Sequence, residues 1–256
     1  GSTMIIPDAY NATNYSGLYN DSENNYYVYS AEGFLGLNEL FANNSKIASV
    51  NIMADIDMDG ATWNAVKVHQ DWDAILTMFD GNNHTISNMN INGQALFTTF
   101  TVRGDAVIKD IIFDNVSTTY SSANAAIVVS NLYSNITLDN VDIVNCSITG
   151  GFKVAPYIGT VYNENSTTVT ATLKNCDVSN TVVKALSYDF CTTAMVAFVY
   201  EDDNDKVVFE NCTVNDVALY APNSYTAHAN VYTAGSETLY NDVNGVTVNN
   251  VTFENI

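Results

Sequence analysis

What this chain has least of is positive charge. Its 256 residues include 8 lysines and arginines against 28 aspartates and glutamates, a formal charge of −20. Nucleic-acid binding needs a basic face, and single scattered cations cannot build one. Anionic lipid surfaces are disfavoured for the same electrostatic reason. No run approaches 18 consecutive apolar residues, so no membrane-inserted segment is expected. Of the four cysteines, Cys146, Cys176, Cys191 and Cys212, none forms a C-x-x-C pair, and His69, His84 and His228 are far apart. The usual zinc spacings are therefore missing. Proline is rare, with 3 residues, and Arg103 is the single arginine.

What is present is asparagine, 35 residues of it, and an apolar fraction of 47%. That fraction can fill a sizeable core and excludes a fully disordered chain. The length allows one large all-β or repeat domain, or two small domains. Residues 1–29 are rich in tyrosine and asparagine and read as an irregular lead-in or short strands. A helix over 30–44 follows: Ser30 can N-cap, Glu32 sits in the first turn, and Phe34, Leu37 and Phe41 recur at helical spacing. Residues 48–256 read as strands, making 30–256 a single domain.

A repeat runs through those strands. Lys109-Asp110-Ile111-Ile112-Phe113, Asp139-Asn140-Val141-Asp142-Ile143, Lys174-Asn175-Cys176-Asp177-Val178, Glu210-Asn211-Cys212-Thr213-Val214 and Asn249-Asn250-Val251-Thr252-Phe253 can be laid on one another, as can Asn88-Met89-Asn90-Ile91. The anchors Asn88, Asp110, Asn140, Asn175, Asn211 and Asn250 are 22, 30, 35, 36 and 39 residues apart. Bounded but irregular spacing fits a parallel β-helix of about seven coils, whose excess length loops out. A sandwich would instead show turns every ~8–12 residues. Coils stacked ~4.8 Å apart would put the asparagines in register as a ladder. The helix would cover the open edge of the first coil. The chain stops at Glu254-Asn255-Ile256, directly after a repeat strand, so it is expected to be part of a larger chain.

One stretch carries more than periodicity. Tyr29-Ser30-Ala31-Glu32-Gly33-Phe34-Leu35, Met53-Ala54-Asp55-Ile56-Asp57-Met58-Asp59-Gly60 with Trp63, Phe79-Asp80-Gly81-Asn82-Asn83-His84-Thr85-Ile86-Ser87-Asn88-Met89 and Ala95-Leu96-Phe97 follow in order. Residues 29–116 thus resemble the right-handed parallel β-helix modules of bacterial surface proteins, the group with GLUG-type repeats. The resemblance implies an all-β solenoid with an N-terminal capping helix, extracellular or at the cell surface. It implies a scaffold or adhesin-like role, with a glycan or surface protein as partner.

Candidate chemistry is sparse. Asp55-Ile56-Asp57-Met58-Asp59-Gly60 matches the start of a calcium loop, with Asp55, Asp57 and Asp59 as ligands, but Val66 stands where the bidentate acid belongs. No other cofactor is expected. In a strand, Ile56 and Met58 would point inward and the aspartates outward. Glu201-Asp202-Asp203-Asn204-Asp205 reads as a solvated loop tip. Arg103-Gly104-Asp105 spells an adhesion tripeptide, but three-residue matches arise by chance and a turn between coils explains it. Trp63 and Trp72 could give apolar faces to sugar rings, although Trp63 packs inside the first coils in the family it resembles. A carbohydrate-active enzyme, whether lyase, hydrolase or phage-type depolymerase, is the alternative on the same fold. Asp139, Asp142 and Asp177 could approach glycosidase separations across coils, but none stands in a catalytic motif. No lysine sits beside an acidic cluster on an aligned repeat, as a lyase would require. Cys176 and Cys212 are expected in a buried, reduced column.

Overall fold

The computed structural model describes residues 7, 9–69, 74–163, 168–187, 192–200, 205–221, 233–234, 237–238 and 246–255, with side chains up to 221. Trp72, Cys191, His228 and residues 201–204 lie outside the described residues. The described chain is all-β apart from one helix, Ala31–Ala42. Its strands join one hydrogen-bonded network in which most pairings are parallel.

The parallel pairs link segments some thirty residues apart, and each repeat is a tier laid on the one before. Ile136–Val144 aligns with Ala106–Tyr120 on one side, and with Thr170–Lys174 and Asp177–Ala185 on the other. Cys212–Ala221 aligns with Asp177–Ala185 and then with Val246–Asn255. A second run, Val129–Leu132, Ile158–Val161 and Val196–Val199, stacks in the same way. Parallel pairing starts before residue 48, because Asn25–Val28 pairs with Ser49–Ile52. The lead-in is thus partly built into the sheet. Leu18–Asn20 and Asn11–Ala12 add to it as antiparallel strands.

Alternation within each strand builds the core. Ile136, Leu138, Val141 and Ile143 are buried, and their register partners Ala171, Leu173, Cys176 and Val178 continue the columns. A side chain in such a column meets like neighbours above and below, which favours branched aliphatics that pack on a pleated surface.

The tiers turn at left-handed residues. Asp110, Asn140, Asn175 and Asn211 have φ of 53°, 56°, 54° and 51°, and five residues on, Asn115, Asn145, Asn180 and Asp216 have 54°, 56°, 45° and 53°. Asn and Asp tolerate this region better than other non-glycine residues, because the short polar side chain hydrogen-bonds locally. Here the side chains also bond between tiers. Asn140 Nδ2 donates to Asp110 Oδ1 at 2.9 Å and Asn211 Nδ2 to Asn175 Oδ1 at 2.9 Å. On the parallel row, Asn115 Nδ2 donates to Asn88 Oδ1 at 2.8 Å and Asn180 Nδ2 to Asn145 Oδ1 at 2.6 Å.

There are therefore two ladders where the repeat suggested one. Asn88 lies in register with Asn115, and Asn250 with Asp216, so both leave the Asp110–Asn211 row. Corners of both rows, Asn140 in one and Asn88, Asn145 and Asp216 in the other, read Asn/Asp-apolar-x-apolar, and pattern alone cannot separate them.

Cysteine follows the corner asparagine at Asn145-Cys146, Asn175-Cys176 and Asn211-Cys212. The described thiols are buried and free. Val116 N donates to Cys146 Sγ at 3.4 Å, and Cys146 N donates to Thr181 Oγ1 at 3.3 Å. A buried backbone N–H needs a partner, and at this bend a sulfur or hydroxyl of the next tier supplies it. Burial pushes the Cys146 thiol up to about 12. A hydrogen bond with Cys212, directly in register, and then burial raise the Cys176 thiol well above its ordinary value.

The helix packs over the first tiers. Ser30 caps it, its side chain accepting from Gly33 N at 3.1 Å. Phe34, Leu37 and Phe41 are buried, with Phe34 and Phe41 at 4.6 and 6.3 Å from Trp63 between ring centroids. The buried Asn38 faces the strand Thr62–His69: its Nδ2 donates to Asn64 O and its Oδ1 accepts from Asn64 N, both at 2.8 Å.

Outside the corners runs a column of alternating charge: Asp80, Lys109, Asp139, Lys174 and Glu210, in register. Lys109 approaches Asp80 at 3.9 Å and Lys174 approaches Asp139 at 3.7 Å. Opposite charges facing across strands stabilise modestly, and like charges would do the reverse.

Candidate ligand-binding flank

Leu132, Val161 and Val199 are register partners and fully buried. Alternation turns the following residue outward, and in each case it is tyrosine. Tyr133 and Tyr162 have ring centroids 6.1 Å apart, and Tyr162 and Tyr200 are 4.8 Å apart, all edge to face. Tyr162 is 36% exposed, one of the few large apolar side chains at the surface. Phe198 lies 4.9 Å from Tyr200 and has Lys153 Nζ 5.2 Å above its ring.

Beside the tyrosines lies a row of polar groups. Asn131 Nδ2 donates to Thr98 O at 2.9 Å, while its Oδ1 accepts from Thr160 Oγ1 at 3.2 Å and from Asn124 Nδ2 at 3.3 Å. Tyr133, Tyr162, Tyr200, Asn124, Asn131 and Thr160 line a cavity of 320 Å³. Tyr133 also lines a second cavity of 310 Å³, with Arg103, Asp105, Ser134 and Asn135. Asp105 and Asn135 continue into a third of 210 Å³, beside Thr137 and Thr172. Shared walls make these one groove running across tiers. Apolar rings with a few fixed hydrogen-bonding groups are what a small-molecule or sugar site requires.

The residues singled out in the sequence fall elsewhere. Trp63 is 1% exposed and donates its Nε1–H to Leu96 O at 3.0 Å, so it offers no face to a ligand; it is a core residue under the helix. Trp72 lies outside the described residues. Asp55 directly precedes a short strand, Asp57 stands on it and Asp59 lies in the turn that follows. Ile56–Asp57 is a strand with Ile56 and Met58 buried, and the chain turns at Asp59 and Gly60, with φ of 48° and 79°. Asp55 Oδ1 accepts from Thr85 N at 3.0 Å and meets His84 Nδ1 at 3.1 Å, contacts that lower its pKa in that order. Asp57 Oδ1 accepts from Asn88 Nδ2 at 3.0 Å and from Asp59 N at 2.9 Å. Among the described residues no group of three or more His, Cys, Asp or Glu is arranged to hold a metal ion.

Asp142 and Asp177 share a register position on neighbouring tiers. Burial raises the Asp142 pKa, with the Asp177 charge adding to it and the bond from Asp177 N opposing it. A raised acid beside a second carboxylate is the pairing a glycosidase uses. Here, however, Asp142 Oδ1 accepts from Asp177 N at 3.0 Å and Asp177 Oδ1 from the Thr213 hydroxyl at 2.6 Å. Neither lines the groove. Asp139 is held by Lys174 and by Asn175 Nδ2, the latter at 3.1 Å.

The tyrosine stripe escaped the sequence reading, although a signal was present. Asn131-Leu132-Tyr133, Thr160-Val161-Tyr162 and Phe198-Val199-Tyr200 end alike, 29 and 38 residues apart, close to the spacing of the ladder anchors.

No protein-family model matches the chain, and no curated protein matches it. Among solved structures, the chain is similar to one from Bacteroides ovatus named as a "putative immunoglobulin A1 protease", at 14% sequence identity and a TM-score of 0.50. The similarity covers 92% of this chain and 86% of that one. It concerns the fold.

Proposed function

We propose that the chain is a right-handed parallel β-helix, a solenoid with a capping helix, and that it serves as a non-enzymatic extracellular module whose tyrosine flank binds glycan. In-register parallel pairing between successive tiers supports the solenoid. So does the resemblance of residues 29–116 to bacterial surface modules, which also supports the location and the adhesin-like display role. The glycan reading rests on one observation: three tyrosines at one register position on consecutive tiers, bordering a cavity lined by Asn131 and Thr160. Aromatic rings accept the apolar faces of sugars, while amides, hydroxyls and phenols meet their hydroxyl groups.

Display is favoured over catalysis because, among the described residues, the thiols and the paired aspartates are committed to the fold. Cys146, Cys176 and Cys212 are buried, and the Asp142–Asp177 pair is spent on a backbone N–H and a hydroxyl. The protease in the neighbour's name remains a statement about that protein. Binding of a glycan array by the intact chain, with Tyr162→Ala as the control, tests the reading. We expect retention of one glycan class, weakened about tenfold by the substitution, and no release of reducing ends or unsaturated products. Turnover of a polysaccharide would replace the reading with the enzymatic alternative.

A further inference from the structure

We propose that the glycan carries an isolated carboxylate and that Arg103 receives it. This rests on the glycan reading above and names the chemistry of the ligand. Arg103 is the single arginine of a chain with a formal charge of −20. It stands on an exposed turn beside Gly104, whose φ is 89°. That turn forms one wall of the 310 Å³ cavity, and Tyr133 joins this cavity to the tyrosine site. The cation and the rings therefore border one groove.

Among the described residues, Arg103 is the one cation lining any of the three cavities. Lys109 and Lys174 face Asp80 and Asp139, and Lys153 lies over Phe198. Among the described residues no carboxylate pairs with Arg103, and the adjacent Asp105 accepts from Asn135 Nδ2 at 3.1 Å. A guanidinium presents five donors in a planar fork that matches a carboxylate with two parallel hydrogen bonds.

The surrounding charge limits the ligand further. A strongly acidic protein repels a polyanion at distances of about one Debye length, ~8 Å at physiological salt. Asp105 on the same rim opposes a second negative charge in the groove. The other groups bordering the groove, Ser134, Asn135, Asn131, Thr160 and the tyrosines, are neutral. The ligand class is a mostly neutral oligosaccharide with one uronic- or sialic-type residue.

Matched glycans test this: oligosaccharides bearing one uronic or sialic residue, their carboxyl methyl esters, and singly sulfated counterparts, measured against the intact chain, Arg103→Gln, Arg103→Lys and Tyr162→Ala. We expect the acid to bind about tenfold more tightly than its ester, with the difference shrinking as salt rises. Arg103→Gln should erase that preference by weakening the acid far more than the ester, Arg103→Lys should keep part of it, and Tyr162→Ala should weaken acid and ester alike. Equal binding of acid and ester, or a preference that survives Arg103→Gln, overturns the carboxylate proposal while the glycan reading stands on the Tyr162→Ala loss. Tighter binding of the sulfated counterpart overturns the carboxylate assignment. No binding by the intact chain anywhere in the series overturns both.

Discussion

The corner ladders and the tyrosine flank repeat on the same tiers yet use their side chains in opposite ways. Along the ladders, polar groups bond to the next tier: Asn140 to Asp110, Asn211 to Asn175, Asn180 to Asn145. Little is left for a ligand, and the left-handed backbone depends on those residues. Along the tyrosine flank the rings directly follow the strands Val129–Leu132, Ile158–Val161 and Val196–Val199, and cavities open beside them. If the proposed glycan reading holds, stability is concentrated on one side and recognition on the other, so substitutions on the two sides should separate the two properties.

The largest expected effect lies beside the ladder and depends on pH. The Cys146 thiol is raised from 9.0 to about 12, chiefly by burial. A raised folded-state pKa leaves stability intact below the unfolded value and removes it as pH climbs through the folded one. Stability should therefore hold below pH 9.0 and fall between pH 9.0 and about 12, by up to about 4 kcal/mol for this group. Cys146→Thr keeps an acceptor for Val116 N–H, as Thr181 does for Cys146, and removes the titration. Denaturant midpoints across that window should fall less steeply for the variant; parallel slopes would show the thiol to be irrelevant.

Next comes the ladder itself. Asn175→Ala puts a Cβ without a bonding side chain at φ 54° and breaks the bonds to Asp139 and Asn211. About 2–3 kcal/mol should be lost, from backbone strain and hydrogen bonding together. Asn175→Gly, which relieves only the strain, should lose less, and glycan binding should be untouched by either. Equal losses for the two variants would assign the role to the amide alone. On the opposite flank, Tyr162→Ala should shift the melting temperature little while costing the tenfold in affinity given above. A large fall in stability there would make the tyrosines packing residues and dissolve the contrast. The smallest effect belongs to Lys174→Glu, which puts an acid in register between Asp139 and Glu210. It should cost no more than about 1 kcal/mol and recover with salt; a loss indifferent to ionic strength would locate the effect in packing.

Local rules made part of this legible in the sequence. The helix of Ala31–Ala42, its Ser30 cap and its buried Phe34, Leu37 and Phe41 follow from spacing and capping chemistry. The inward alternation of Ile56 and Met58, and the stacking of Cys176 on Cys212, could be read in the same way. The Asp110, Asn140, Asn175 and Asn211 row was visible because one residue type recurs in one context. The second row was merged with it, since two corners five residues apart share a pattern and only backbone register separates them. The tyrosine flank was hidden by loops of unequal length. Trp63 attracted a binding role because composition cannot distinguish an aromatic facing a helix from one facing solvent.

Asn38 has a consequence for how the stack ends. A side-chain amide offers one donor and one acceptor at the spacing of a peptide group, and both are already matched to Asn64. To an approaching strand, that stretch of the edge behaves as if another chain had docked there, while the helix itself cannot template further addition. One asparagine thus acts as a counterfeit strand and closes this stretch of the parallel sheet's edge.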